Sequence, residues 1–144
     1  VEAVLKRNTA QKGSEGEAAV LHALVRNGYL VLIPWQHHLP YDLAIYVPEE
    51  VKMLRVQCKV GRLSADGSCV EFNSYIIVPG EGGRRSTRRG YKGDAEYFGV
   101  YCPKIEKVYL LPVDDVPCTG AKLRLLPSKN NQEKGVKWAK DYEL

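Results

Sequence analysis

Glu17, Asp42, Gln57 and Lys59 follow one another along the chain as two carboxylates, a primary amide and an ammonium. Groups of these types can hold a divalent metal beside a phosphodiester and activate a water to attack it. The chemistry they imply is metal-dependent hydrolysis of a nucleic-acid backbone.

The spacing puts these groups on neighbouring elements. Residues 41–47 and 51–60 both have strand character and are joined by a short turn at Pro48, Glu49 and Glu50. In the second strand Leu54, Val56, Cys58 and Val60 alternate with Arg55, Gln57 and Lys59, so Gln57 and Lys59 point the same way. In an antiparallel pair Asp42 can lie across from them on that face. The plainer alternative is a cross-strand ion pair between Asp42 and Lys59 with no chemistry attached.

Glu17 admits two readings. Ser14 and Glu17 fit an S-x-x-E capping box at the start of a helix over about residues 15–27, closed by Gly28. On that helix Glu17, Leu21 and Leu24 fall within about 40° of one line. Glu17 would thus continue an apolar stripe that faces the sheet. A carboxylate so placed needs a metal, a cation or hydrogen bonds.

A helix-borne Glu17, a strand-borne Asp42 and the Gln57-x-Lys59 pair on the next strand resemble the PD-(D/E)XK nuclease superfamily. The similarity is greatest to its group I intron homing endonuclease branch. It is carried by residues 12–18 (KGSEGEA), 40–43 (PYDL), 56–62 (VQCKVGR) and 91–98 (YKGDAEYF), and continues through 108–113, 123–125, 130–132 and 138–142. The resemblance implies a single α/β nuclease domain over 1–144. Its restriction-endonuclease-like core would have an N-terminal helix packed on a mixed β-sheet, added hairpins and a C-terminal helix. It further implies that Glu17, Asp42, Gln57 and the Cys58 carbonyl hold Mg2+, with Mn2+ as a substitute, while Lys59 serves the attacking water. The partners implied are double-stranded DNA and further copies of the chain, as a homodimer or homotetramer.

Two departures matter. The residue before X-Lys is acidic in most of the superfamily and is Gln57 here, and Tyr41 interrupts the Pro-Asp pair. Gln57 offers a neutral carbonyl oxygen and an NH2 donor, so the site carries one negative charge fewer. Glutamine is nevertheless what the homing-endonuclease branch shows, which implies a variant active site. A Holliday-junction or repair nuclease of the same fold, and an inactive DNA-binding module, are the alternatives.

The chain has 144 residues, 44% hydrophobic and 26% charged, with a formal net charge of +4, values ordinary for one globular domain. No apolar run approaches a membrane span and no signal peptide is legible. The chain begins at Val1 rather than Met, as expected if a short segment has been lost. Cys58, Cys69, Cys102 and Cys118 lack the paired spacing of a zinc site. Reduced thiols in a cytoplasmic protein are expected, with no zinc and no membrane.

Further strands are expected at 29–35, 69–78, 97–102, 107–113 and 123–126, with 69–78 returning beside the Gln57 strand, and a weak helix over 129–141. Residues 79–90 form a glycine-rich, flexible basic loop. There Arg84, Arg85, Arg88 and Arg89, with nearby Lys92 and with Arg62, are the candidate DNA contacts. A merely solvated loop is the alternative. Adjacent His37 and His38 cannot easily share one ion and are expected at the surface. Asp114 and Asp115 suit a turn, and Glu96 has a structural role, with Asp94 as a second-tier site candidate.

Overall fold

The computed structural model describes residues 8–144. It opens with helix α1 (Thr9–Arg26), which starts six residues earlier than the sequence reading placed it. Asn8 is the cap: its Oδ1 accepts from the Gln11 N–H at 2.9 Å, and the Asn8 N–H donates to Gln11 Oε1 at 2.8 Å. Ser14 lies inside the helix, with its hydroxyl donating to Ala10 O. The S-x-x-E box is therefore not used, and the Glu17 carboxylate is not spent on its own helix.

A five-stranded sheet follows the order β1 (Leu30–Leu32), β2 (Leu43–Val47), β3 (Lys52–Val60), β8 (Tyr97–Cys102), β9 (Lys107–Pro112). Its pairings are antiparallel except for β3 with β8, which are parallel. Between β3 and β8 the chain builds β4 (Arg62–Leu63), β5 (Cys69–Phe72), β6 (Ile76–Val78) and β7 (Thr87–Arg89). A three-stranded sheet has the order β10 (Ala121–Arg124), β5, β4, while β6 and β7 form a separate ribbon.

Two expectations fail here. The 69–78 strand is broken at residues 73–75, and its first part pairs with β4 and β10 rather than beside β3. The break is local: Asn73 Oδ1 accepts from the Tyr75 N–H, and the buried Ser74 hydroxyl donates to Pro117 O at 2.6 Å. The C-terminal helix is absent. Residues 129–138 are irregular with Gly135 at φ 75°, and only a 3-10 turn forms at Ala139–Asp141. The backbone bonds that a helix would make go elsewhere: the Arg124 N–H donates to Lys137 O, and Leu110 and Val108 pair with Tyr142 and Leu144. This last contact closes the β9 edge.

The five-stranded sheet is covered unequally. On one face α1 lays Gly16, Val20 and Leu24 against Leu43, Ile45, Val56 and Val108. On the other face the second sheet covers only the β8–β9 half, enclosing Val70, Phe72, Phe98, Val100, Tyr109, Leu111 and Leu123. The buried helical stripe is thus centred on Gly16, Val20 and Leu24, rather than on the Glu17, Leu21 and Leu24 line. Glu17 borders it and is exposed.

Close approach of α1 needs two glycines. A Cβ at position 16 would stand 2.8 Å from Val60 Cγ2, and one at position 99 would stand 2.5 Å from Val20 Cγ1 and 3.2 Å from Val56 Cγ1. Gly99→Ala should therefore overpack the helix–sheet contact and cost about 1–3 kcal/mol. Urea unfolding should show this as a lowered midpoint at unchanged slope.

Candidate active site

The β2–β3 register pairs Leu43 with Val56, so Asp42, one residue before β2, stands beside Gln57. Its N–H donates to Val56 O at 3.0 Å. The carboxylate oxygen Oδ2 accepts from Gln57 Nε2 at 2.7 Å and from the Cys58 N–H at 2.8 Å. Both bonds fall on one oxygen, and among the described residues Oδ1 accepts no hydrogen bond. Gln57 Nε2 also lies 3.4 Å from the Cys58 carbonyl oxygen. The amide group thus sits between two oxygens, in a position that also suits a cation.

Burial pushes the Asp42 carboxyl above its ordinary value, while the Cys58 N–H and the Lys59 ammonium pull it partly back. Glu17 is raised as well, by desolvation and then by the charge of Asp42. Since Glu17 is exposed by its surface area, the repulsion from Asp42 is the more telling cause: α1 brings the two carboxylates within electrostatic reach. The Cys58 thiol is pushed strongly upward by burial, then by Asp42 and Glu17, so it stays protonated. It packs with the helix-side core, as its phase on β3 requires.

Lys59 makes no ion pair with Asp42 among the described residues. Its ammonium donates to the Tyr91 hydroxyl at 2.7 Å. Sequence reasoning missed Tyr91, which lies 32 residues along the chain from Lys59 and has no periodic relation to it. Its only signal was its place at the head of the YKGDAEYF block. Asp42, Gln57 and Lys59 thus share one face, while Glu17, on the helix that covers the other face, comes within electrostatic reach of Asp42.

Glu96 is structural. It accepts from the Arg55 N–H at 2.6 Å and from the Arg55 guanidinium Nη2 at 2.5 Å, and its own N–H donates to Arg55 O at 3.0 Å. The Arg55 guanidinium holds the Glu96 carboxyl below its usual range. Asp94 is paired with Arg89 at 2.6 Å.

The basic segment is more ordered than a flexible loop. Its residues Thr87–Arg89 form β7, paired with β6 through Ile76–Arg89, Ile77–Arg88 and Val78–Thr87. Arg88 lies over the Tyr75 ring, 4.3 Å from its centre. Arg84 and Arg85, at the exposed tip, form no side-chain hydrogen bond or ion pair among the described residues, and Lys92 is exposed. Arg62 is exposed and stands 3.6 Å from Glu71, which Lys122 approaches to 3.2 Å. A recess of about 750 Å³ is lined in part by Val60, Lys12, Arg62 and Lys104. His37 and His38 are exposed in the loop before β2.

Residues 7–144 match the family model described as PD-(D/E)XK endonuclease. The chain belongs to the PD-(D/E)XK endonuclease family. It is also similar to a solved bacterial homing endonuclease, I-Ssp6803I, at 25% identity and a TM-score of 0.70, covering 95% of this chain and 89% of that one. No curated protein matches it. The family makes the chain a nuclease that hydrolyses phosphodiester bonds, and DNA is the substrate that family membership implies. PD-(D/E)XK nucleases typically use divalent metal ions. No helix among the described residues is long and apolar enough to cross a membrane.

Among the described residues no three His, Cys, Asp or Glu side chains gather at metal-holding reach. The groups that could hold a cation around Asp42 are its own carboxylate, the Glu17 carboxylate within electrostatic reach of it, the Gln57 amide and the Cys58 carbonyl. These hard oxygens fit Mg2+ or Mn2+, and the soft thiolate and imidazole donors of a zinc site are missing from the set.

The raised carboxyl of Asp42 has a consequence for stability. A carboxyl whose folded pKa lies above its unfolded one costs stability at neutral pH, and that cost disappears as pH falls through the folded value toward the unfolded one. Asn at this position can keep both hydrogen bonds through its Oδ1 while removing the charge. Asp42→Asn should therefore raise the melting temperature of the metal-free protein at pH 7. The gain should shrink on acidification and vanish below the ordinary Asp value, as thermal unfolding across a pH series will show.

Proposed function

We propose that this nuclease is a metal-dependent endodeoxyribonuclease of the homing type, which cuts both strands of a specific duplex site as a homo-oligomer. The observation that carries the reading is the Asp42–Gln57–Cys58 cluster, with Glu17 beside it and Lys59 on the same strand face. The likeness to a bacterial homing endonuclease supports the homing assignment.

Glu17, Asp42 through Oδ1, the Gln57 amide oxygen and the Cys58 carbonyl would hold Mg2+ or Mn2+. When bound, the cation supplies Lewis-acid polarisation of the phosphate and a water of lowered pKa. The Gln57 amide is set to donate to Asp42; rotation about its terminal bond exchanges Nε2 for Oε1 and turns the same side chain into an acceptor. Lys59 keeps two N–H donors beyond the one given to Tyr91. These orient the attacking water and offset the charge gathering on the phosphate oxygens. Arg84 and Arg85 at the ribbon tip, with Lys92 and Arg62, contact backbone phosphates. Arg88 and Arg89 contribute less freely, because Tyr75 and Asp94 already engage them.

One domain carries one such site and cuts one strand, so double-strand cleavage needs at least two copies. The surface for the second copy is the uncovered half of the sheet. There Leu30, Tyr46 and Met53 form one cross-strand row, and Leu32, Ile33 and Trp35 are exposed, Trp35 at 89%. The outer edge of β1 has no strand partner among the described residues. Open edges and apolar patches of this kind mark sites of association.

Three outcomes are expected. Lys59→Met should abolish Mg2+-dependent cleavage of duplex DNA by orders of magnitude while leaving its binding in gel-shift assays intact; cleavage at the parent rate would remove Lys59 from the site. Replacing Arg84 and Arg85 with Gln should make the log of the binding constant less steep against log salt, by about 0.9 per lost phosphate contact. The double substitution Leu32→Lys and Trp35→Ser should lower the sedimentation mass to that of one chain and leave nicking in place of double-strand cutting.

A further inference from the structure

We infer that Tyr91 is a positioning residue for Lys59, whose hydroxyl holds the ammonium in its working place and off the Asp42 carboxylate. The inference rests on the nuclease reading of the site and adds a residue to it. The Lys59 ammonium is 2.7 Å from the Tyr91 oxygen and 4.5 Å from the ring centre, so the contact is a hydrogen bond at the oxygen end rather than a cation over the ring face.

The phenol is itself fixed. Tyr91 is 8% exposed, and its ring meets Phe98 edge to face at 5.4 Å and 81°, while Phe98 meets Phe72 at 5.4 Å and 69°. Phe98 stands opposite Gln57 in the β3–β8 register. Behind the ring, the Tyr91 carbonyl accepts from the Asp94 and Ala95 N–H groups at 2.9 and 3.1 Å. The Arg89–Asp94 ion pair spans the same turn. The hydroxyl is therefore carried on a packed aromatic stack rather than on a loop.

Lysine has four rotatable bonds and three equivalent donors, so without a partner its ammonium samples many positions. A competing attraction is Asp42, which stands beside Gln57 on the same strand face as Lys59. A lysine that settled on Asp42 would take up an oxygen that a cation needs and would move away from the water. One hydrogen bond to a rigid phenol selects against that arrangement and leaves two ammonium donors unspent. Preorganisation of this type acts on turnover rather than on substrate binding.

Tyr91→Phe keeps the ring stack and deletes only the hydroxyl. Single-turnover cleavage at saturating DNA and Mg2+ should fall at least fivefold, with the dissociation constant for duplex DNA unchanged within twofold. In a Lys59→Met background the same substitution should change the residual rate by less than twofold, because the hydroxyl acts through the lysine. An equal loss in both backgrounds, or parent-level cleavage by Tyr91→Phe, would overturn the inference.

A second measurement does not need cleavage. In the metal-free protein, 15N NMR of the lysine ammonium groups should show a Lys59 signal protected from solvent exchange, and Tyr91→Phe should remove that protection. A Lys59 signal indifferent to the substitution would refute the contact itself. Protection lost in a protein that cuts no DNA would instead uphold the positioning and reject the nuclease reading.

Discussion

The arrangement turns on β3 being hydrogen-bonded on both sides, to β2 in antiparallel and to β8 in parallel register. Successive side chains then have no choice of face: Leu54, Val56 and Cys58 enter the helix-side core, and Arg55, Gln57 and Lys59 enter the opposite side. A slip of one residue would expose Val56 and bury the amide and the ammonium. Full burial of an aliphatic side chain is worth about 1.5–3 kcal/mol, and an unpaired buried cation costs more than that, so the alternative register is heavily penalised. The Arg55–Glu96 pair, which joins backbone and side chain of both residues, pins the parallel partner to the same register.

Unequal covering of the sheet then determines where chemistry can happen. The second sheet and the aromatic stack of Tyr91, Phe98 and Phe72 enclose one half of the face, and the β1–β2 half is left open. Gln57 and Lys59 lie on the strand between the two halves. They are supported from the packed side, where Phe98 stands opposite Gln57 and Tyr91 holds Lys59. The cost is visible in the half-buried Asp42, whose charge is disfavoured without a cation, and in the apolar surface around Leu32 and Trp35.

The helix contributes in a similar way. Gly16 and Gly99 let α1 approach the sheet without Cβ atoms between them, and Glu17 on that helix comes within electrostatic reach of Asp42. Glycine inside a helix is disfavoured by about 1 kcal/mol relative to alanine, so the close approach has a local cost that the packing of Val20 and Leu24 must offset. Capping by Asn8 and Gln11 moves the helix start away from Glu17 and frees its carboxylate.

Much of this was legible in the residues themselves. The alternation from Leu54 to Val60, the hairpin of β8 and β9, and the order Glu17, Asp42, Gln57, Lys59 depend on local periodicity and residue type, which a linear chain displays directly. The helix start was misread because Asn8–Gln11 and Ser14–Glu17 are both acceptable caps, and the chain uses the first, with its two reciprocal bonds formed and the Ser14 hydroxyl turned back to Ala10 O. The expected helix over 129–141 gave way because the backbone groups of Lys137, Tyr142 and Leu144 find strand partners in Arg124, Leu110 and Val108. Tyr91 and the pairing of β5 with β10 were invisible for the same reason. They join residues far apart along the chain, and the energy that brings them together comes from burial of Phe72, Phe98 and Leu123, which has no local signature. Residue type and period thus determined which groups could do chemistry and on which strand face they lie, whereas only long-range packing decided which of them meet.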